Sequence, residues 1–211
     1  MEDMHIHLKT GVTDISIMKK YIEKCRKLGI NKVLFLDHGN RISKKHTPVL
    51  NEPQVIKNFF NNINIVQKEN PDMEINVGIE SDFSYDKEFK EKEMKIITSY
   101  PFDYVIGSVH GMEKSDYIDY LQANIDMLET YKIDIIGHLK LRKEYDKYKD
   151  IIEKIVKIAT DKNVKFDINT SDRSRWNIQQ LEYMLNLFKK YGTQYTIGSD
   201  CLLYTSDAAD E

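Results

Sequence analysis

The feature that most restricts the fold of this chain is a rhythm that recurs along its length: a short apolar run, a polar end, then an amphipathic helical segment. Most of the apolar runs are continuous and rich in Val, Ile, Leu and Phe, as in strands that are buried on both faces. Strands that alternate with helices favour parallel pairing, because parallel neighbours need a crossover connection. The seven predicted strands are DMHIHL, KVLFLDHG, EINVGIESD, DYVIGSVHG, IDIIGHL, VKFDINTS and QYTIGSD.

Six helices are predicted between these strands. Four have an apolar stripe at helical spacing, and two have helical propensity alone. The four are 14–28, 116–131, 150–162 and 177–191, and the two are 52–69 and 86–98. Ser115 is the expected N-cap of the second helix in the first group. Ile118 and Ile178 are expected on the buried stripes of their helices, and Gly29 and Gly192 are expected to end theirs.

Polar residues at the strand ends distinguish between two parallel architectures, an open doubly wound sheet and a closed barrel. In an open sheet, only the strands near the switch point supply a site. Here nearly every strand ends in a side chain that can bind a metal, which favours a closed ring with all carboxyl ends at one mouth. These residues are Asp3, His5, His7, Asp37, His38, Glu80, Asp82, His110, His138, Asn169 and Asp200.

The strand ends predict a site for more than one divalent ion. His5 and His7 lie two residues apart, so both can face the mouth and form half of a metal site. Glu80 is the natural carboxylate to bridge two ions, and Asp3 or Asp37 could orient an imidazole through its other nitrogen. Without a cation, so many imidazoles and carboxylates in one cavity would repel each other or shift their pKa values. Histidine and carboxylate ligands suit Zn, Mn or Fe.

The ordered segments DMHIHL, LDHG, GIESD, GSVHG, IIGHL, INTS and IGSD resemble the successive motifs of the PHP (polymerase and histidinol phosphatase) superfamily, and above all its histidinol-phosphatase branch. The resemblance covers nearly all of 1–200. It implies an α/β fold, a distorted seven-stranded (β/α)7 barrel, with two or three divalent ions. The implied ligands of one ion are His5, His7, Glu80 and Asp200. Those of a second are Glu80, His110 and His138, with Glu80 bridging, and His38 would belong to a third site.

Two positions depart from the family pattern. Many relatives carry a further histidine after the HxH motif, which HIHLKTGVTD lacks. The last motif of the family ends Ser-Asp-Ala-His, whereas Cys201 and Leu202 follow Asp200 here. The third site is therefore left with His38, and with His46 or water as its other ligand.

The last eleven residues, CLLYTSDAADE, differ in character from the rest of the chain. They are too short, and too poor in apolar spacing, to form the helix that should cover a seventh buried strand. They also resemble translated sequencing-adapter DNA. We therefore expect a PHP domain over 1–200, truncated after the seventh strand, and a non-native tail over 201–211.

The resemblance implies metal-assisted hydrolysis of a small phosphate monoester, with L-histidinol phosphate as the leading substrate. Nucleotide or sugar phosphates are alternatives within the superfamily, and a non-catalytic metal-binding barrel is an alternative of another class. Arg41, Arg173 and Arg175 are candidates to contact the phosphate, although surface ion pairs would explain them nearly as well. Asp37 and Asp82 are candidates to assist protonation of the leaving group.

Composition excludes other kinds of partner. A net charge of -3 and a pI of about 6.1 argue against binding nucleic acid through a broad basic face. No apolar run approaches the roughly 20 residues needed to span a bilayer, and the N-terminus has no signal-peptide pattern. The two cysteines are far apart, which is typical of a protein in the reducing cytoplasm.

Overall fold

We describe a computed structural model of the chain, which covers residues 1–8, 12–40, 50–112, 114–171 and 176–200. In these ranges, strands alternate with helices as the sequence predicts. The strands are β1 (Glu2–His7), β2 (Lys32–Leu36), β3 (Glu74–Asp82), β4 (Tyr104–Ser108), β5 (Ile135–Ile136), β6 (Lys165–Asn169) and β7 (Tyr195–Gly198). The helices are α1 (Ile15–Lys27), α2 (Pro53–Glu69), α3 (Lys87–Ser99), α4 (Tyr117–Thr130), α5 (Lys149–Asp161) and α6 (Ile178–Tyr191), and a 3-10 helix, Tyr145–Tyr148, precedes α5.

The seven strands are all parallel and lie in sequence order, each beside the next. The ring closes between β7 and β1, where the Asp200 amide donates to the His5 carbonyl at 2.8 Å. The Ser199 amide also donates to the Asp3 carboxylate at 2.9 Å. The predicted seven-stranded (β/α)7 barrel is thereby confirmed, and the open sheet is excluded. Residues 201–211 lie outside the described residues, so their non-native origin and the extent of the domain stay predictions.

Two irregularities distort the barrel. The register of β1 against β2 shifts between Asp3 and Ile6. β5 has only two residues in the ladder, far fewer than its apolar sequence predicts. Both lie close to candidate ligands, because His5 lies within the register shift and His138 comes two residues after the end of β5. The ring is therefore least regular where it supplies the mouth.

The barrel separates two apolar regions. The larger core lies between the strands and the helices and includes Phe35, Phe59 and Phe166, all fully buried. A smaller cluster from neighbouring strands fills the interior of the ring: Met4, Leu34, Leu36, Ile106 and Ile135. This apolar floor keeps the polar residues at one end of the ring, which becomes the mouth.

Three local predictions about the helices are wrong, for reasons of tertiary contact. The N-cap of α4 is Asp116, because the Ser115 hydroxyl donates to the Met112 carbonyl instead. Ile118 is 44% exposed, since α4 turns its tyrosines inward, where two of them bond to the backbone of Lys140. Ile178 is 76% exposed.

In α6 the buried face includes Gln180, whose amide donates to the Leu141 carbonyl at 2.8 Å. Gln180 also completes a capping box with Asn177. A polar residue held by two sets of hydrogen bonds thus replaces Ile178 on the buried face. Gly29 and Gly192, both with positive φ, follow α1 and α6 as predicted.

Within the described ranges, no helix combines the length and apolar character that crossing a membrane requires.

Candidate metal centre

Glu80 lies at the middle of the barrel mouth, fully buried, with five imidazoles directed at its carboxylate. It belongs to β3, whose long ladder fixes its position, and it also forms an isolated parallel bridge with His38. The distances from a Glu80 carboxylate oxygen to Nε2 are 3.6 Å for His5, 3.0 Å for His7, 3.1 Å for His38, 3.8 Å for His110 and 3.1 Å for His138. The five histidines that the sequence analysis selected therefore meet around one carboxylate.

The ligand atoms form four overlapping groups, each within a span of 4.8 Å. The last group is the ligand set that the family resemblance implies for the second ion, the first group contains three of the four residues implied for the first ion, without Glu80, and the two between them include His38. The groups are His5 with His7 and Asp200, His7 with His38 and Glu80, His38 with Asp82 and His110, and Glu80 with His110 and His138. The predicted ligands thus lie close enough to hold shared ions.

Two of these ligands depend on unusual backbone conformations. His138 has a backbone φ of 25° and Asp200 one of 50°, both in a region that residues other than glycine rarely adopt. Such conformations persist where the surrounding structure enforces them, and they concentrate at functional sites. At Asp200, the hydrogen bond from its backbone amide to the His5 carbonyl provides that constraint.

A carboxylate lies behind four of the five imidazoles, on the Nδ1 side. Asp167 Oδ2 is 2.8 Å from Nδ1 of His5, and Asp82 Oδ1 is 2.8 Å from Nδ1 of His110. Asp82 is also 3.6 Å from Nδ1 of His38. The fourth pair is Asp37 with His7, at 3.8 Å. Metal-binding histidines commonly have such a partner, which fixes the tautomer and leaves Nε2 free to bind.

Sequence reasoning missed Asp167 and assigned too much to Asp3. The Asp3 carboxylate accepts the backbone amides of His5 and Ser199, and among the described residues it has no hydrogen bond to an imidazole nitrogen. The signal for Asp167 was its position two residues before Asn169, which places both on one face of β6. The side-chain amide of Asn169 indeed donates to the Asp167 carboxylate at 3.1 Å.

The charges at the mouth are strongly coupled. Burial acts against the charge of Glu80, but the surrounding imidazoles lower its pKa well below the usual value. Burial likewise acts against protonated His7, yet the Asp37 and Glu80 carboxylates raise its pKa to about 9. For His38, burial prevails and lowers the pKa.

The residues at the mouth fit divalent cations. Glu80 Oε2 is buried and accepts no hydrogen bond from the described residues, although imidazole nitrogens lie 3.0 and 3.1 Å away. The Nε2 atoms of His5 and His7 face each other at 3.2 Å, as do those of His110 and His138 at 3.3 Å. Two neutral imidazoles with their Nδ1 atoms protonated have only lone pairs to direct at each other, so a shared cation relieves the contact.

Several predicted residues lie outside the described residues. They are Arg41, His46, Arg173, Arg175, Cys201 and Leu202. Their assignments therefore stay predictions.

A parallel α/β barrel with a histidine and carboxylate cluster at its carboxyl end defines a class of barrels suited to metal-dependent chemistry. Residues 3–171 match the family model of the PHP domain, so the chain belongs to the PHP domain family.

Known proteins of similar sequence carry related names. The chain is 25% identical, over 229 aligned positions, to the histidinol-phosphatase of Lactococcus lactis subsp. lactis, with 94% of this chain and 82% of that protein covered. It is 27% identical over 149 residues to a provisionally named histidinol-phosphatase of Clostridium acetobutylicum, with 54% of this chain and 56% of that protein covered.

A solved structure has the same fold. It is that of a provisionally named histidinol phosphatase from Listeria monocytogenes, with a TM-score of 0.66 and 16% sequence identity. The match covers 95% of this chain and 94% of that one. At this identity the likeness concerns the fold alone.

Proposed function

We propose that this protein is a metal-dependent phosphomonoesterase that hydrolyses L-histidinol phosphate to L-histidinol and phosphate, in the cytoplasm, as a step of histidine biosynthesis. The observation that carries the chemistry is the Glu80 carboxylate shared by two pairs of facing imidazoles. The substrate is inferred from the histidinol-phosphatase of Lactococcus lactis, which aligns along most of the chain.

Two or three divalent ions would be held at the mouth. His5, His7 and Asp200 would hold one, and His110 and His138 a second, with Glu80 shared between them. His38 would contribute to a third position. When bound, Zn, Mn or Fe ions supply an activated water and offset the charge of a phosphoryl group.

The chain's own residues would orient and bind. Asp167 and Asp82 would hold the imidazoles of His5 and His110 at fixed angles through Nδ1. Arg41, Arg173 and Arg175 are proposed to contact the phosphate oxygens.

The structure bears on the alternative role of Asp82 as a proton donor. Burial acts to raise its pKa, but His110 and His38 together lower it well below the usual range. We therefore propose that Asp82 and Asp37 orient imidazoles and that neither protonates the leaving group.

The test is phosphate release by the purified protein after chelation and reloading with Mn²⁺, Zn²⁺ or Fe²⁺. The substrates compared are L-histidinol phosphate, p-nitrophenyl phosphate, a nucleoside monophosphate and a sugar phosphate. We expect metal-dependent hydrolysis with the highest kcat/KM for L-histidinol phosphate. Preference for a nucleotide or sugar phosphate would show that L-histidinol phosphate is not the substrate. Hydrolysis unaffected by chelation would contradict the metal-dependent mechanism.

A matched pair of variants connects that activity to the mouth. Glu80→Gln keeps the size of the side chain but removes the shared charge, so we expect kcat/KM to fall by at least about 100-fold. Glu74→Gln is the control, because Glu74 lies exposed at the opposite end of the same strand, where it pairs with Lys32.

A further inference from the structure

Glu93 is a buried acid that the proposed chemistry does not use. It lies on α3, which packs outside the ring, and its side chain is 0% exposed. One carboxylate oxygen accepts the backbone amide of Asn40 at 2.5 Å, and the other accepts the Ser81 hydroxyl at 2.7 Å. A single side chain from a helix thus bonds to two different strand ends.

Both bonds lie next to candidate metal ligands. Ser81 stands between Glu80 and Asp82 on β3, and its side chain points to the opposite face of the strand from theirs. Asn40 is two residues after His38, in the segment that leaves β2. Glu93 therefore contacts the backbone behind the mouth from the outer side of the ring.

The approach of Glu93 to this segment is close. A Cβ atom at Gly39 would lie 2.8 Å from one Glu93 oxygen and 3.0 Å from the other, so a side chain at this position would have to displace the Glu93 carboxylate. The Gly39 amide donates to the Glu80 carbonyl at 3.1 Å, and the Leu50 amide donates to the His38 carbonyl at 2.9 Å. The segment after β2 is therefore held on β3 by the Gly39 bond, on the stretch before α2 by the Leu50 bond, and on α3 by Glu93.

A carboxyl in this position is costly unless it is hydrogen-bonded, and an apolar side chain would pack more favourably. Burial raises the pKa of Glu93 to about 7, although Ser81 and Asn40 donate to it and lower it in part. The Asp82 carboxylate also raises it. Packing alone does not explain an acid here, whereas the need to hold the Asn40 backbone amide and the Ser81 hydroxyl together does.

We propose that Glu93 is a positioning residue for the metal centre, and that through Asn40 and Ser81 it sets the placement of His38 relative to Glu80. This inference rests on the metal centre of the proposed function. Its consequence is specific: loss of the two bonds should weaken the ion that depends on His38 more than the ion held by His110 and His138.

The experiment measures metal binding directly, by equilibrium dialysis of the metal-free protein against Mn²⁺ and Zn²⁺. Glu93→Met fills the same space without either bond, and Glu93→Gln can accept from the Asn40 amide and donate to the Ser81 oxygen. We take the weakest-bound ion to be the one that depends on His38. We expect Glu93→Met to weaken its binding by about 10- to 100-fold, as loss of outer partners does at other metal sites. Glu93→Gln should stay within about threefold of the unmodified protein, because it preserves the geometry.

The control is Thr193→Val, which removes a buried hydrogen bond to Thr160 just before the start of β7, at the other end of the ring. It should lower the midpoint of urea unfolding without changing metal affinity. If Glu93→Met does not fold, Ser81→Ala removes one of the two bonds, and its metal affinity should fall in the same direction by a smaller factor.

Metal affinity within threefold of the unmodified protein in folded Glu93→Met, or in Ser81→Ala where the first does not fold, would overturn the inference. Equal weakening in Glu93→Gln and Glu93→Met would also overturn it, since the bonds would then be irrelevant. These outcomes are independent of the substrate. A protein that binds metal but leaves histidinol phosphate intact would contradict the proposed function and not the role of Glu93.

Discussion

The imidazoles at the mouth meet around Glu80 through their Nε2 atoms, and most of them also face a carboxylate through Nδ1. His5 shows this most completely, because its Nδ1 is 2.8 Å from Asp167 and its Nε2 faces His7 and Glu80. Burial acts against the charge of His5, but the Asp167 carboxylate and Glu80 raise its pKa well above the usual value. At the residue scale, a carboxylate on the Nδ1 side therefore orients four of the five imidazoles.

Asp167→Asn tests this arrangement. The amide keeps the size of the carboxylate but lacks its charge, so His5 becomes a weaker base and can adopt the wrong tautomer. We expect metal affinity or kcat/KM to fall by roughly 10- to 100-fold. Asp103→Asn is the control, because the Asp103 carboxylate accepts the strand amide of Val77, at the other end of the ring from the mouth. Equal losses in both variants would reduce the role of Asp167 to general stability.

Residue-scale prediction from sequence succeeded where spacing alone defines direction. His5 and His7 follow from alternation along one strand, and Glu80 was expected as the carboxylate that another strand brings to the same mouth. The partner of His5 comes from β6, far away in the chain, so no local pattern joins Asp167 to it. Only closure of the ring brings them together.

At the element scale, the glycine before His138 has a steric reason. A Cβ at Gly137 would overlap the Ser108 hydroxyl oxygen and lie 2.9 Å from a methyl group of Ile106. Ser108 in turn donates to Glu80 Oε1 at 2.6 Å. The contact between β4 and the end of β5 is therefore close because Ser108 supports the central carboxylate.

Gly137→Ala should displace Ser108 and disturb both strand ends. We expect a loss of stability of about 1–3 kcal/mol, the usual cost of overpacking, together with weaker metal binding. Urea unfolding of the metal-free protein measures the first effect, and metal titration measures the second. Adding Ser108→Ala should restore part of the stability, because it removes the overlapping oxygen. No recovery in the double variant would place the strain elsewhere.

The pattern of elements was largely predictable, and the exceptions share a cause. Apolar periodicity located four of the six helices and helical propensity located the other two, with each end within one residue of the structure, inside the ordinary uncertainty of helix ends. Periodicity was wrong about the first stripe residue of α4 and of α6, Ile118 and Ile178, because hydroxyl and amide side chains there bond to the backbone of Lys140 and Leu141 instead. Those bonds depend on the neighbouring connections and leave no periodic trace in the helices themselves.

At the scale of the whole molecule, stability should depend on metal. An ion that binds only the folded ring stabilises it by about 2.7 kcal/mol when present at 100 times its Kd. We therefore expect Tm to rise when Mn²⁺ or Zn²⁺ is added to the chelated protein.

The rise in Tm should be larger at pH 8 than at pH 6. His7, whose pKa is raised to about 9 by Asp37 and Glu80 against the opposing effect of burial, must lose a proton before it binds a cation. Protons compete less with the metal ion for His7 at higher pH, so the apparent affinity of the site for metal increases as the pH rises. Glu80→Gln should show little shift at either pH, and a Tm insensitive to metal would contradict the centre.

The hydrogen bond between the Asp200 amide and the His5 carbonyl joins the two ends of the described chain. It lies beside the imidazoles of His5 and His7. An ion there would act as a clasp on the ring, because its ligands come from the first strand and from the residue just after the last. A nascent chain cannot assemble this pocket until the segment that carries Asp200 has left the ribosome. Uptake of the ion would then require that all seven strands of the ring have been synthesised.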